Sequence, residues 1–248
     1  MDFNFVFIIP SYNNANWYGL NLQSILQQRN KNWRAIYIND ASTDNTSNLV
    51  KKYIKENGFI NKFTFIDNSD KGTPAKSRYI GYTQTDPKEI CCFLDGDDWL
   101  YDNNVLDILS KYYSKGFNCT YGSYITLDNN NKKKTIFPKE NYSDDVINNK
   151  SYRICNQWFA RHLRTMQSKL IQDIDFERHL IFKGEWLKIN TDQAEMFYVL
   201  EKSECVPVHI KKILYVYNMI NSSKYPTSYY RPDMNKYRKE IHEYIKSL

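Results

Sequence analysis

The amino-acid sequence predicts an α/β fold in which a mixed, mostly parallel sheet is flanked by helices. Two observations carry this prediction. Short apolar runs alternate with amphipathic segments through the first half of the 248-residue chain, and three of these runs end in polar turns. A β-α-β-α order of this kind is typical of a parallel sheet with helices on both faces. The hydrophobic fraction of 42%, with 21 Tyr and 13 Phe, is enough for a sizeable core.

Each short apolar run in the first half predicts a buried strand. The predicted order is strand 6–9, helix 20–26, strand 35–38, helix 44–56, strand 63–66, helix 74–84, strand 90–94 and helix 105–113. Pro74 fits the first turn of its helix, where a missing N–H costs nothing. The adjacent Cys91 and Cys92 should place their side chains on opposite faces of the fourth strand.

The second half of the chain has a more polar and less regular pattern. It predicts a strand over 119–127, a polar loop over 129–150 and helices over 158–170 and 191–200. A strand over 212–218 and an amphipathic helix over 234–248 complete the prediction. No linker divides the chain, so we expect one domain over residues 1–248.

Composition and charge narrow the class of protein. The formal net charge of +6 is too small and too dispersed to indicate a nucleic-acid partner. No stretch reaches the roughly 18 apolar residues of a membrane span, and the N-terminus lacks the features of a secretory signal. The five cysteines form no C-x-x-C pair, which argues against zinc. They predict reduced, buried thiols and a cytoplasmic location.

Polar turns follow three of the predicted strands, at residues 10–13, 39–42 and 95–98. Ligands bind outside the carboxyl ends of strands in such sheets, so these turns should form one site. The carboxylates of Asp95, Asp97 and Asp98 repel one another unless a cation lies between them. Oxygen ligands suit Mn²⁺ or Mg²⁺, which can also hold substrate phosphates. The alternative is an ordinary acidic turn, because Asp and Gly are common turn residues.

Four segments resemble the motifs of the family 2 glycosyltransferases, which have the GT-A fold. They are Ile-Ile-Pro-Ser-Tyr-Asn at 8–13, Tyr-Ile-Asn-Asp-Ala-Ser-Thr-Asp-Asn-Thr at 37–46, Ser-Arg-Tyr-Ile-Gly at 77–81 and Phe-Leu-Asp-Gly-Asp-Asp at 93–98. The last resembles the DxD motif of that family. Asn39, Ser77 and Tyr79 depart from the family's commoner residues. The resemblance implies a nucleotide-sugar-binding half over 1–127 and an acceptor-binding half over 128–248 that includes the C-terminal helix.

The resemblance implies that the first two turns bind the nucleotide of a UDP-sugar donor. Tyr12 would flank the uracil ring, and Pro10 and Ser11 would shape the pocket around it. Asp40 would accept a hydrogen bond from the uracil N3–H, because a carboxylate selects a base that donates there. The structural alternatives are a Tyr12 packed on the sheet edge and an Asp40 that caps the following helix.

The resemblance also implies a diphosphate and metal site. Arg78 would reach the diphosphate with its paired donors, unless it is a solvated helix residue. Asp95 would approach the ribose or the metal, with Gly96 beside it in the donor-binding turn. Asp97 would coordinate Mn²⁺ or Mg²⁺, which neutralises charge on the departing UDP. Asp98 remains an alternative metal ligand.

Enzymes of this family mostly invert the anomeric centre and then need a general base. The segment 191–195 resembles the family's carboxylate-bearing helix start, so Asp192 is the predicted base. Glu195, one turn further, is the alternative, and either residue could instead stabilise the helix dipole. Arg161, His162 and Arg164 could contact phosphates or the acceptor, or could lie on a solvated helix face. His209 could complete a metal shell, although a structural histidine is the simpler interpretation.

The implied function is metal-dependent, inverting transfer of glucose or galactose from a UDP-sugar to an acceptor hydroxyl. Late segments such as 215–218 are similar to family members of giant DNA viruses and bacteria, some of which resemble collagen-modifying enzymes. A collagen-like hydroxylysine, or its galactosyl derivative, is therefore one expected acceptor, and a glycan or surface polysaccharide is another. A non-catalytic nucleotide-sugar-binding protein is the alternative. A nucleotidyltransferase would need a glycine-rich loop after the first strand, and residues 10–13 contain no glycine.

Overall fold

The computed structural model describes residues 3–127, 133–136, 141–155, 157–221 and 232–248. Among these residues the strands are β1 (Phe5–Ser11), β2 (Trp33–Asn39), β3 (Phe63–Asp67), β4 (Ile90–Phe93), β5 (Trp99–Leu100), β6 (Cys119–Leu127), β7 (Lys133–Ile136), β8 (Arg164–Gln167), β9 (Ile181–Phe182), β10 (Glu185–Trp186) and β11 (Pro207–Asn218). The α-helices are α1 (Tyr18–Leu26), α2 (Thr46–Glu56), α3 (Pro74–Tyr82), α4 (Val105–Tyr113), α5 (Asp144–Asn148), α6 (Phe176–Leu180), α7 (Thr191–Glu201) and α8 (Pro232–Ser247).

One large sheet with the strand order β3-β2-β1-β4-β8-β6-β11-β5 organises the fold, and β7 pairs with β6 at its side. Strands β1 to β4 are parallel, as the alternating pattern of the first half predicts. Strand β8 runs antiparallel to both of its neighbours, β4 and β6, so those two point the same way. The carboxyl ends of β1, β2, β4 and β6 therefore lie along the same edge of the sheet.

Helices cover both faces of the sheet, and each face has its own hydrophobic cluster. On one face, Ile8 and Cys91 pack with residues of α3, α7 and α8. On the other, Phe7 and Cys92 pack with residues of α1, α2 and α4. The adjacent cysteines thus point to opposite faces, as predicted. The alternation of strand residues between two apolar faces explains why the β1 and β4 sequences are continuously hydrophobic.

Helix α3 packs against the sheet at Gly81, where a side chain would not fit. A Cβ at this position would lie 2.5 Å from Ile8 Cγ2 and 3.1 Å from Ile38 Cδ1. The helix begins with Thr73, whose hydroxyl accepts a hydrogen bond from the Lys76 amide at 3.3 Å, and with Pro74 in the first turn. The start of α3 lies beside the carboxyl end of β2, where the Gly72 amide donates to Asp40 Oδ1 at 3.0 Å.

Three predictions for the second half are wrong in detail. Residues 164–167 form strand β8 instead of part of a helix, because their backbone pairs with both β4 and β6. The predicted loop at 129–150 contains β7 and α5, although residues 128–132 and 137–140 lie outside the described chain. Strand β11 begins at Pro207, so His209 lies within it and not before it. The helix predicted over 191–200 is confirmed as α7, and the terminal helix as α8.

No helix in the described part of the chain is both long enough and apolar enough to cross a bilayer. The five cysteines are free thiols, of which Cys155 is partly exposed and the others are buried.

The buried His179 on α6 makes the fold sensitive to acid. Its ring packs against Tyr198 at 4.9 Å and only 9% of the residue is exposed. Burial lowers the pKa of His179 to about 4, and Arg153 and Arg178 act in the same direction. The folded state therefore resists protonation that the unfolded chain accepts near pH 6.5. This residue's contribution is complete above pH 6.5 and is lost as the pH falls towards 4.

We therefore expect His179→Phe to reduce the loss of stability on acidification. Between pH 7.5 and pH 5, the free energy of unfolding of the wild type should fall by about 2 kcal/mol more than that of the variant. Urea unfolding at the two pH values measures this difference. His242→Gln is the matched control, since His242 lies exposed on α8. An equal pH dependence in wild type and His179→Phe would contradict the assignment.

Candidate active site

The carboxyl ends of β1, β2 and β4 line a cavity of about 590 Å³. Six residues predicted from the sequence contribute to its wall, namely Pro10, Ser11, Tyr12, Asp40, Asp95 and Asp97. Ile189, just before α7, and Met234 of α8 also line it. A larger cavity of about 870 Å³, lined in part by Arg29, Tyr101 and Lys212, contains none of the predicted residues. The smaller cavity is therefore the candidate site.

The turn after β1 is held in place by hydrogen bonds to Ser11. Its hydroxyl accepts from the Tyr37 hydroxyl at 2.7 Å and from Asn14 Nδ2 at 2.9 Å. Gly96 lies directly against this residue, since a Cβ on Gly96 would be 2.7 Å from Ser11 Cβ. The absence of a side chain at Gly96 thus allows the acidic turn to lie against the turn after β1.

The Asp40 carboxylate, after β2, is anchored through one of its two oxygens. Oδ1 accepts from Asn68 Nδ2 at 2.8 Å and from the Gly72 amide at 3.0 Å. Among the described residues, Oδ2 has no hydrogen-bond donor, so it can accept one from a ligand. In the same cavity, Lys71 Nζ lies over one face of the Tyr12 ring, 3.7 Å from its centre. The site thus offers an aromatic ring with a cation on one face, and a fixed acceptor.

The second and third carboxylates of the acidic turn have different environments. Asp98 is fully buried, and its Oδ2 accepts from the Tyr215 hydroxyl at 2.7 Å. Its Oδ1 accepts from the Asn218 amide at 2.8 Å. Asp97 lines the cavity, where its Oδ2 accepts from Asn221 Nδ2 at 2.8 Å. Asp98 therefore anchors the turn to β11, whereas Asp97 is presented to the cavity.

The donor set fits a hard divalent cation held jointly with a substrate. Within the described ranges, no group of three His, Cys, Asp or Glu side chains is arranged to bind a metal alone. Mg²⁺ typically uses one or two carboxylates together with waters and substrate phosphates. Asp95 and Asp97 supply two carboxylates at the cavity wall. His209 is level with Tyr121 near the amino-terminal end of β6, so the fold does not bring it to this site.

Arg78 on α3 is buried and bound to protein carboxylates. Its Nε donates to both Glu195 oxygens, at 3.1 and 2.8 Å, and its Nη2 donates to the Thr191 hydroxyl. Its Nη1 lies 3.8 Å from Asp95 Oδ1. The Arg78 side chain is 3% exposed, so it is not the solvated helix residue of the alternative interpretation. It connects the acidic turn to the start of α7.

Glu195 and Asp192, both on α7, differ sharply in exposure. The Glu195 side chain is 1% exposed, and burial raises the pKa of Glu195 to about 7 against the opposing charges of Arg78 and Arg164. The Asp192 side chain is 33% exposed, and its Oδ2 lies 3.3 Å from Arg164 Nη1. Of these two carboxylates, only that of Asp192 is accessible to an incoming molecule.

The segment 161–165 is not a helix, since a bend at residues 162 and 163 leads into strand β8. Arg161 is exposed and contacts the Tyr124 hydroxyl at 3.4 Å. His162 stacks on the ring of Tyr215 at 4.6 Å. Arg164 is 2% exposed and directed to Asp192. The two arginines, which the sequence did not distinguish, therefore have opposite environments.

Several residues of the site were not identified from the sequence. Tyr215, Asn218 and Asn221 hold the acidic turn, yet they lie more than a hundred residues after it. The pairing of Arg78 with Glu195 joins positions 117 residues apart. Local patterns report strand ends and turns, and no local pattern indicates which distant side chains meet them.

The curled, mostly parallel sheet, its flanking helices and this site at the strand ends define a GT-A fold. The structure matches S. aureus TarS 1-349 in complex with UDP-GlcNAc with a TM-score of 0.65 and 20% identity, over 87% of this chain and 58% of TarS. It matches the mannosyltransferase PcManGT from Pyrobaculum calidifontis, in complex with GDP-Man and Mn²⁺, with a TM-score of 0.59 and 16% identity. That match covers 86% of this chain and 56% of PcManGT.

Residues 6–164 match the sequence family described as Glycosyl transferase family 2, and the chain belongs to that family. One relative is an uncharacterized glycosyltransferase of Rickettsia bellii (strain RML369-C). The two are 31% identical over 141 residues, which are 56% of this chain and 19% of the relative. The chain spans about a fifth of the length of the first curated relatives that it matches.

Proposed function

We propose that the protein transfers a sugar from a UDP-sugar to an acceptor hydroxyl, with inversion and with a bound divalent cation. The observation that carries this proposal is the convergence of Tyr12, Asp40, Asp95 and Asp97 on one cavity. An aromatic face, a fixed carboxylate acceptor and a pair of hard oxygen ligands match a nucleobase, its N3–H and a metal-bound diphosphate. The UDP-GlcNAc bound to TarS and the GDP-Man and Mn²⁺ bound to PcManGT support this assignment.

The geometry of the first two turns supports this mode of donor recognition. The open oxygen of Asp40 would accept the uracil N3–H, while Asn68 and Gly72 keep its other oxygen occupied. Tyr12 would stack on the base, with Pro10 and Ser11 beside it. Guanine also donates from a ring nitrogen, so GDP-mannose is the informative competitor for this site.

Asp95 and Asp97 would hold Mn²⁺ or Mg²⁺. When bound, the cation supplies Lewis-acid stabilisation of the departing diphosphate. Asp98 is excluded from this role in our proposal because both of its oxygens are bound to β11. Arg78 would contribute positive charge next to Asp95, from which its Nη1 lies 3.8 Å away, while it remains paired with Glu195.

Asp192 would be the general base, because its carboxylate is exposed where Glu195 is enclosed. Asp192 would take the proton of the acceptor hydroxyl, and that oxygen would bond to C1 of the sugar. The bond from C1 to the β-phosphate oxygen would break, and UDP would leave with the electron pair. A single displacement of this kind inverts the anomeric centre.

The sugar and the acceptor are the finer parts of the proposal. UDP-glucose and UDP-galactose are the donors predicted from the sequence, and UDP-GlcNAc joins them because TarS binds it. A glycan hydroxyl and a collagen-like hydroxylysine are both acceptors to be assayed. The free thiols support a reducing compartment such as the cytoplasm.

Thermal denaturation with and without MnCl₂ tests the donor site against UDP-glucose, UDP-galactose, UDP-GlcNAc and GDP-mannose. A ligand at a hundred times its Kd should stabilise the fold by about 2.7 kcal/mol, which is about 5–10 °C for a chain of this size. We expect this shift with a UDP-sugar and Mn²⁺ together. An equal or larger shift with GDP-mannose would contradict uracil recognition.

Release of UDP, followed with water or an added acceptor, distinguishes an enzyme from a binding protein. We expect slow UDP release from the preferred donor that increases with a competent acceptor. Mass spectrometry of glycan and hydroxylysine-peptide acceptors then identifies the product. Donor binding without any UDP release would favour the non-catalytic alternative.

A further inference from the structure

Arg164 is a buried charge with few hydrogen bonds. It lies on β8 at the position that pairs with Phe93 of β4, two residues before Asp95. The residue is 2% exposed, yet its Nη1 makes one hydrogen bond, to Asp192 Oδ2 at 3.3 Å. Its Nε is buried and has no hydrogen-bond partner among the described residues. A guanidinium carries five N–H donors, so this arrangement is a costly way to stabilise a fold.

Asp192 receives this hydrogen bond in an orientation that leaves half of its carboxylate available. Oδ2 is engaged by Arg164, and Oδ1 has no donor within the described part of the chain. The side chain is 33% exposed, in the first turn of α7. A carboxylate held through one oxygen and open at the other has a defined direction for accepting a proton.

The buried arginines Arg78 and Arg164 bind different carboxylates of α7. Arg78 donates to both carboxylate oxygens of Glu195 and makes no hydrogen bond to Asp192 among the described residues. Arg164 engages Asp192 and not Glu195 by hydrogen bond. Arg78 thus pairs with the buried carboxylate of Glu195, while Arg164 pairs with the exposed carboxylate of Asp192.

We propose that Arg164 is a positioning residue that fixes the Asp192 carboxylate for removal of the acceptor proton. The proposal rests on the proposed function, in which Asp192 is the base. The 3.3 Å contact is within hydrogen-bond range, and hydrogen bonds of catalytic groups often tighten when substrate binds. Arg164 contacts no substrate in this role and acts through Asp192.

A third buried arginine, which is paired with the same helix α7, provides a matched control. Arg153 is 6% exposed and its Nε donates to Glu201 Oε2 at 2.7 Å. Glu201 is the last residue of α7, nine residues after Asp192, or about 13 Å along the helix axis. Arg153→Met should therefore lower the melting temperature without changing kcat per folded molecule.

The test is a double-mutant cycle of Arg164→Met and Asp192→Asn, assayed as UDP release from the donor that the wild type uses best, with Mn²⁺. A displaced catalytic group can cost about a hundredfold. We expect Arg164→Met to lower kcat by roughly 10–100-fold with the donor KM within about twofold. Arg164→Lys should recover part of this loss, and Arg164→Met should have no further effect on kcat in the Asp192→Asn background.

Two outcomes would overturn the positioning role. One is an unchanged kcat in Arg164→Met, and the other is an equal fold loss with and without the Asp192→Asn change. If Arg164→Met does not fold, Arg164→Lys replaces it in the double-mutant cycle with Asp192→Asn. The melting temperature of Arg164→Lys is then compared with that of Arg153→Met. A wild type that releases no UDP from any donor would refute the proposed function, and the positioning role with it. Normal wild-type turnover beside an unaffected variant would refute the positioning role alone.

Discussion

Asp192→Asn is expected to lower kcat for sugar transfer by about 10²–10⁴-fold, the usual contribution of a general base. Asparagine keeps the size of the side chain but cannot take the acceptor proton. Asp192 does not line the donor cavity, so the affinity for the UDP-sugar should be retained. Initial rates of product formation and the donor-induced thermal shift measure the two effects separately.

Asp173→Asn is the control for this variant, since Asp173 is an exposed aspartate paired with Lys202. Its kcat should equal that of the wild type. Glu195→Gln provides a contrast, because loss of the buried charge beside Arg78 should lower the melting temperature. Undiminished transfer by Asp192→Asn would remove Asp192 as the base.

Asp97→Asn is expected to abolish the Mn²⁺-dependent part of the donor-induced thermal shift and to reduce kcat by about 10²–10³-fold, the scale of a lost electrostatic contact in the transition state. The amide keeps the shape of the turn and removes a charged metal ligand. Calorimetric titration of Mn²⁺ in the presence of UDP measures the loss directly.

The adjacent Asp98 makes the Asp97 prediction specific. Asp98→Asn removes a charged acceptor from Tyr215 and from the Asn218 amide, so we expect a lower melting temperature without ligand. Hydrogen bonds to charged groups contribute about 1.5–3 kcal/mol. Asp102→Asn, an exposed change in the next loop, should alter neither property. A metal-dependent shift that persists in Asp97→Asn would show that the metal assignment is wrong.

The sequence predicted those parts of the fold that depend on local pattern. The continuous apolar runs of β1 and β4 reflect burial on both faces of the sheet, and the polar turns after them correctly indicated a shared edge. Strand β8 escaped prediction because it is four residues long and owes its conformation to β4 and β6 on either side. Because a helix was predicted over these residues, the sequence also did not predict that Arg161 is exposed while Arg164 is buried on β8.

The sequence predicted which residues meet at the candidate site but not the hydrogen bonds and ion pairs between them. Motif positions placed Tyr12, Asp40 and Asp97 together, and the cavity contains all three. The partners of Arg78 could not be anticipated, because burial beside Glu195 is a property of tertiary packing. The roles of the individual site residues remain predictions that the variants above address.

The hydrogen bonds from β11 and Asn221 to the acidic turn determine when the site can form during translation. Asp97 and Asp98 depend on Tyr215, Asn218 and Asn221 for their orientation, and a ribosome makes those residues more than a hundred positions later. A nascent chain that has completed β4 therefore possesses the acidic turn without these partners of the Asp97 and Asp98 side chains. Mn²⁺-dependent nucleotide affinity in ribosome-stalled chains should appear only after residue 221 has left the exit tunnel, so it would serve as a reporter of completed folding during translation.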